Sequence, residues 1–222
     1  MIAIDGLFFV VVSRGKANTV LRKAKKCGVT GGTIFLGEGT VQNRHSDKLG
    51  QTEIHKEILM LSTSDELFDQ LYRETLMFLK KNEGIAFSIP FKRWQLPADG
   101  QEQMNISTDV HPSHFCIMTI VDRGRSKACI KAARAAGAMG ATVIHGRGAG
   151  IPTDFYFPLV IEPQKDMVMI ITKKDNASLI RQRILSDLKL EKAGNGIIFT
   201  LPVNWTGGLL ESRSEENGER TT

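Results

Sequence analysis

Ser13-Arg-Gly-Lys16 and Asp122-Arg-Gly-Arg125 are two versions of one turn, and their glycines lie 109 residues apart (124 − 15). Carried outward, the same displacement sets Ala24 on Ala133, Gly28 on Gly137, Gly31 on Gly140 and Thr33 on Thr142. It then sets Gly37 on Gly146, Gly39 on Gly148, Glu53 on Glu162, Lys56 on Lys165 and Met60 on Met169. Past a small insertion the displacement becomes 112, matching Leu67 with Leu179, Gly84 with Gly196, Phe87 with Phe199 and Pro90 with Pro202. Glycines held in register over such a span mark a tandem duplication. The 222 residues therefore divide into two units of about equal size rather than one large domain.

Each copy carries the same order of elements. An apolar run rich in β-branched and aromatic residues (Leu7–Val12; Phe115–Val121) predicts a buried strand. A helix follows, with Val20, Leu21 and Ala24 on one face in the first copy and Cys129, Ile130 and Ala133 in the second. Gly28 and Gly137 stand where a left-handed C-cap belongs. A second strand (Gly32–Leu36; Ala141–His145), a long polar segment and a third strand (Ile58–Ser62; Met167–Thr172) come next. A second helix has Leu67, Phe68, Leu71, Tyr72 and Leu79 at helical spacing, with Leu179, Ile180, Ile184 and Leu188 in its twin. The last strand, Ile85–Ile89 or Ile197–Leu201, ends at a proline. The fold class is α+β: two βαββαβ units of ferredoxin-like type, each an antiparallel sheet backed by two helices. The reading sets unit 1 at 1–94, a polar linker at 95–112, unit 2 at 113–210 and a disordered polar tail at 211–222.

Composition narrows the function. With 41% hydrophobic and 24% charged residues, 21 Gly and 7 Pro, the chain is neither collagen-like nor wholly disordered. The net charge of +5 is mild; it permits anionic ligands without describing a nucleic-acid surface, and no nucleic-acid partner is expected. The basic run Arg22-Lys-Ala-Lys-Lys26 reads as a solvated helix face. The three cysteines, Cys27, Cys116 and Cys129, have no CxxC spacing, which argues against a disulfide framework or a zinc knuckle. Met1-Ile-Ala-Ile-Asp5 lacks the basic leader of a signal peptide, and no apolar stretch approaches the ~20 residues of a membrane span, so the expected location is cytoplasmic.

Candidate chemistry gathers at two long connections, Gly39 to Glu53 and Gly148 to Glu162, where a tight hairpin would have sufficed. Loops beyond ~12–15 residues are commonly functional. The first, Thr40-Val-Gln-Asn-Arg-His-Ser-Asp-Lys-Leu-Gly50, is polar. The second, Ile151-Pro-Thr-Asp-Phe-Tyr-Phe-Pro-Leu159, is aromatic and suits docking, either on its own protein or on a partner, through Phe155, Tyr156 and Phe157. At their mouths stand Gly37-Glu-Gly39 and Gly146-Arg-Gly148, and Gly194-Asn-Gly196 precedes the last strand of copy two, where copy one keeps Gly84. Such glycines are either tight turns or places where backbone N–H groups approach an anion closely. No Gly-Lys-Ser/Thr follows, and no helix opens after them, so neither a Walker A loop nor a Rossmann fingerprint is present. His111-Pro-Ser-His114 has no carboxylate or thiol company, and no metal site is expected. With no HExxH, GxSxG or paired acid and base, there is no catalytic constellation and no enzyme is expected.

Copy two resembles the PII nitrogen-regulatory proteins. The resemblance rests on Phe115-Cys-Ile-Met-Thr-Ile-Val121, Lys131-Ala-Ala-Arg-Ala-Ala-Gly-Ala-Met-Gly-Ala-Thr-Val143, Gly146-Arg-Gly148 and Gly194-Asn-Gly-Ile-Ile-Phe-Thr-Leu-Pro202. It covers most of 113–205 and, more faintly, 6–92. It implies a ferredoxin-like signalling protein that assembles as a trimer, binds an adenine nucleotide (ATP, ADP or AMP) as effector in clefts between neighbouring units, and docks on a membrane transporter or a metabolic enzyme through its T-loop. By the same resemblance Thr142, Gly146, Arg147 and Gly148 would be the strand and T-loop contribution, and Gly194, Asn195 and Gly196 the B-loop. Copy one would add Thr33, Gly37, Gly39 and Gly84. No cofactor is required, and Tyr156 is the only tyrosine in either loop. The chain departs from the family at three points. Ile197 and Ile85 stand where lysine usually follows the B-loop glycine, no Arg-x-Arg follows Trp205, and Ala149-Gly-Ile-Pro152 offers no T-loop glutamine. Lost cations weaken a triphosphate site, and this sets up the rival reading: a PII-like protein-interaction module without a nucleotide.

Overall fold

The computed structural model describes residues 5–41, 54–79, 84–90, 112–148 and 164–209. The architecture is α+β, with a large antiparallel sheet and four helices, and its element order is the one the repeat predicts. The first copy runs β1 (Gly6–Ser13), α1 (Ala17–Lys26), β2 (Thr33–Val41), β3 (Ile54–Thr63), α2 (Asp65–Phe78) and β4 (Gly84–Pro90). The second runs β5 (His114–Asp122), α3 (Ser126–Ala135), β6 (Gly140–Arg147), β7 (Gln164–Lys173), α4 (Lys174–Asp187) and β8 (Ile197–Val203), and β9 (Trp205–Gly207) closes the described chain.

By internal contacts the chain divides into two compact units. Unit 1 takes Met1–Phe35, Glu57–His114 and Pro202–Thr222; unit 2 takes Leu36–Lys56 and Phe115–Leu201. In unit 2 the strands follow the order β8-β5-β7-β6, which is the 4-1-3-2 order of a βαββαβ sheet, and the outer part of β2 pairs beyond β6. That pairing is antiparallel, with Gly37 opposite Ile144, Glu38 opposite Val143 and Gly39 opposite Thr142. In unit 1 the same order reads β4-β1-β3-β2, with β9 added outside β4.

The cores are built from the faces that the periodicity marks. In unit 1, Phe8, Val10 and Val12 alternate along β1 and pack with Val20 and Ala24 of α1, Leu59 and Leu61 of β3 and Leu71 of α2. In unit 2, Ile117 and Val121 pack with Cys129 and Ile130 of α3, Val168 and Ile170 of β7 and Ile180 and Ile184 of α4. Each such side chain stabilises its unit by roughly 1.5–3 kcal/mol when fully buried. Both first helices end as expected. Gly28 (φ +103°) and Gly137 (φ +96°) donate to Lys25 O and Arg134 O, and the next residues, Val29 and Ala138, reach back to Ala24 O and Ala133 O. The three cysteines are free and buried, and burial pushes Cys116 up to about 12 and Cys129 to about 11. No helix among the described residues is long and apolar enough to cross a membrane.

Two features go beyond the sequence reading. β2 runs past residue 36 because its outer residues pair with β6 within unit 2, and β6 runs past residue 145 because Gly146 and Arg147 pair with Lys165 and Gln164 of β7. Gly37, Gly39 and Gly146 are consequently strand residues, not turns. The other addition is β9. It pairs antiparallel with β4, with Trp205 opposite Ser88, and Trp205 stacks on Phe8 (5.7 Å) and meets Tyr72 edge-on (4.1 Å). With Phe68 also edge-on at 6.3 Å, Trp205 is packed against three aromatic rings, which explains why so short a strand holds its place. Phe155, Tyr156 and Phe157, the linker from 95 to 111 and the tail from 211 to 222 lie outside the described residues.

Candidate functional site

A carboxylate in the middle of a core strand demands partners, because burying it alone is costly. Asp166 on β7 is such a group, only 1% exposed. Its donors come from two elements. The turn Asp122–Arg125 is closed by Arg125 N–H on Asp122 O (3.1 Å) with Gly124 at φ +90°, a left-handed conformation that glycine adopts without strain. That turn aims Gly124 N–H (3.0 Å) and the Ser126 hydroxyl (2.7 Å) at Asp166 Oδ2. The β6–β7 register places His145 opposite Asp166, and His145 Nδ1 meets Oδ1 at 2.8 Å. Burial pushes the Asp166 carboxyl up, but the Ser126, His145 and Gly124 donors together outweigh it and hold the group below the usual aspartate value. An ionised carboxylate only accepts, so the proton of this bond sits on His145 Nδ1. His145 Nε2 then faces Glu38 Oε1 of β2 at 3.5 Å, both residues belonging to unit 2.

The same turn is fastened on its other side. Arg125 donates to Asn195 O (2.7 Å) and to Leu188 O (2.9 Å), and Asn195 Nδ2 donates to Lys189 O (2.8 Å). The bond to Leu188 O satisfies a carbonyl at the C-terminal end of α4, and those to Asn195 O and Lys189 O fasten the segment that follows it. Residues 124–126 thus link the glycine-rich turn 194–196 to the β6–β7 ladder. Copy one repeats only part of this. Glu57, the counterpart of Asp166, accepts from Ala17 N–H at 2.9 Å.

The residues nominated from sequence fall into distinct places. Gly37, Gly39 and Thr142 lie on the β2–β6 ladder of unit 2, and Gly146 and Arg147 on the β6–β7 ladder, with Gly148 just beyond it. Thr142 is buried, whereas Gly146 and Arg147 are exposed. A Cβ at Gly146 would meet nothing within 4 Å. Gly194, Asn195 and Gly196 form the turn before β8; Gly196 (φ +134°) is required by packing, since a Cβ there would sit 2.4 Å from Ile120 O. Thr33 and Gly84 belong to unit 1, and a Cβ at Gly84 would lie 2.5 Å from Val11 O. Sequence reasoning missed Glu38, Arg125, Ser126, His145 and Asp166. A signal existed for Asp166, because an acidic residue recurs at 57 and 166 inside otherwise apolar strands. None existed for His145 and Glu38, whose counterparts are Leu36 and Arg147.

These elements define an α+β protein of two βαββαβ units, with a polar cluster tying the turn before α3 to the ends of β2 and β6. No family model matches the chain, and no curated protein does. Among solved structures the chain is similar to PII of Arabidopsis thaliana bound to citrate, at 24% identity and a TM-score of 0.33, over 43% of this chain and 87% of that one. A likeness of that strength carries no argument for ligand or activity.

Proposed function

We propose that this chain is a PII-like, non-catalytic regulatory protein that binds an adenine nucleotide and docks on a partner, a transporter or an enzyme, through its β2–β3 and β6–β7 connections. The observation that carries the reading is Gly146. It is exposed on a strand, next to Arg147, and nothing in its own surroundings requires a glycine. A glycine kept free of its own packing leaves room for a ligand to approach the backbone, and Arg147 supplies a cation suited to phosphate. The duplicated unit and its resemblance to PII proteins support the same reading. In calorimetry with ATP, ADP and AMP, at least one nucleotide binds tighter than ~1 mM, about −4 kcal/mol. Arg147→Ala weakens that binding by roughly tenfold, the scale of one charge-assisted hydrogen bond. Absence of binding by all three nucleotides refutes the nucleotide part of the proposal.

One observation favours the rival, a docking module without a ligand. Ile197, 58% exposed, follows the 194–196 turn and brings no cation to it. Gly148→Asp separates the two readings: it abolishes nucleotide-dependent partner binding under the first and leaves partner binding unchanged under the second.

A further inference from the structure

Both ring nitrogens of His145 face carboxylate oxygens. Nδ1 meets Asp166 Oδ1 at 2.8 Å, and Nε2 stands 3.5 Å from Glu38 Oε1. A neutral imidazole has one N–H and one lone pair, so it donates to only one of the two; the imidazolium donates to both. Asp166 keeps the Nδ1 proton in either state, because its other oxygen is already taken by Gly124 N–H and the Ser126 hydroxyl. The proton that comes and goes is therefore the one on Nε2, between β6 and β2.

We propose that this second proton is a latch: with it, His145 bridges Asp166 and Glu38 and fastens the outer part of β2 to β6, and without it the fastening is released. The neighbouring charges leave the bridge to these three groups. On the turn before α3, Arg123 is bonded to Gln164, and Arg125 to the Leu188 and Asn195 carbonyls. On β7, Lys165 pairs with Asp122. On β3, Lys56 packs over Gly39, which strand alternation sets on the other face of β2 from Glu38. Arg147, two residues along β6, and Lys127 of α3 are exposed. The side chains of His145 and Glu38 are 36% and 24% exposed, so the latch exchanges its proton with water. The folded chain gives the Nε2 proton a carboxylate partner that the unfolded chain lacks. The latch is thus closed below the ordinary imidazole value of ~6.5 and opens as the pH rises past it. Burial raises the Asp166 carboxyl, but the Ser126, His145 and Gly124 bonds lower it further, so Asp166 stays an acceptor throughout this range. The repeat sets Leu36 at the place of His145 and Arg147 at that of Glu38, so the latch belongs to the β2–β6 pairing and is not a demand of the fold. Both strands lead into the long connections, and a consequence for docking rests on the function proposed above; the latch itself does not.

The test is hydrogen exchange followed by NMR on the full chain without nucleotide or partner, so it fails or succeeds apart from that function. Protection factors, which remove the chemical effect of pH on exchange, are compared at about pH 5.5 and about pH 8, either side of the imidazole range. For the amides of residues 38–40 they fall about fivefold at the higher pH, the scale of one part-exposed ion pair. Those of β1 and β4 hold steady. Glu38→Gln and His145→Asn each abolish the fall. Nitrogen-15 spectra of the wild-type ring show Nδ1 protonated at both pH values and Nε2 only at the lower, a readout that needs no variant to fold. Equal protection of residues 38–40 at the two pH values overturns the proposal. A fall that persists in His145→Asn, or a ring that keeps its last proton on Nε2, overturns it equally.

Discussion

Asp166 and Glu57 occupy matching places in the two copies but serve different numbers of donors, so the duplication supplies its own control. Truncating Asp166 to alanine strands the Ser126 hydroxyl, which is buried, the half-buried Gly124 N–H and the His145 N–H. A buried donor left without its charged acceptor costs about 1.5–2 kcal/mol, and partly hydrated ones less. The three together come to about 3 kcal/mol. Glu57→Ala removes the acceptor of the part-buried Ala17 N–H, for about 1 kcal/mol. In urea unfolding with a slope near ~2 kcal/mol/M, the midpoint falls by about 1.5 M for Asp166→Ala and about 0.5 M for Glu57→Ala. Circular dichroism follows the whole chain, while Trp205, packed on Phe8 and Tyr72, reports unit 1 by fluorescence. The larger loss belongs to unit 2, so the two probes separate in Asp166→Ala. Equal midpoints for the two variants, or a loss below about 0.5 M for Asp166→Ala, would refute the claim that this cluster holds the site together.

Three further outcomes follow from single positions. Gly196→Ala destabilises by at least ~2 kcal/mol, since its φ of +134° and the 2.4 Å approach to Ile120 O both exclude a methyl group, whereas Gly146→Ala changes the thermal midpoint little. Lys189 is held at φ +54° just after α4, and Lys189→Gly stabilises by about 0.5–1 kcal/mol in the same urea assay; a loss would mean the left-handed residue is not strained. Cys116 resists thiol reagents in the native protein, with its thiol pushed up to about 12 by burial, and reacts only as the chain unfolds; rapid native labelling would contradict its placement.

Element order was legible because duplication doubles every signal. Gly28 alone is a weak helix stop, but Gly28 with Gly137 at one displacement is a strong one, and both are left-handed in the structure. The core faces were legible for the same reason, since Val20 and Ala24 recur as Cys129 and Ala133 in character and spacing. What escaped is long-range. The extension of β2 depends on pairing with β6, about a hundred residues away, and that of β6 on pairing with β7 across a long connection, and no local periodicity encodes either. β9 has only three residues, too few for a pattern, and is held by Trp205 packing that a sequence does not announce. The polar cluster around Asp166 needed both the register of β6 on β7 and the turn at Gly124. Its residues stand at 38, 124–126, 145 and 166, with no motif spacing to join them. Gly37, Gly39 and Gly146, for which the sequence left a tight turn or an anion-facing backbone open, stand in extended strand backbone.

The regulatory reading is tested most directly by amide chemical shifts of the isotope-labelled chain during addition of ATP. The account predicts that the N–H signals of Gly146, Arg147 and Gly148, with those of Gly194 and Gly196, move first and saturate together below ~1 mM nucleotide. Signals that stay fixed at these positions, or shifts confined to other strands, would contradict it.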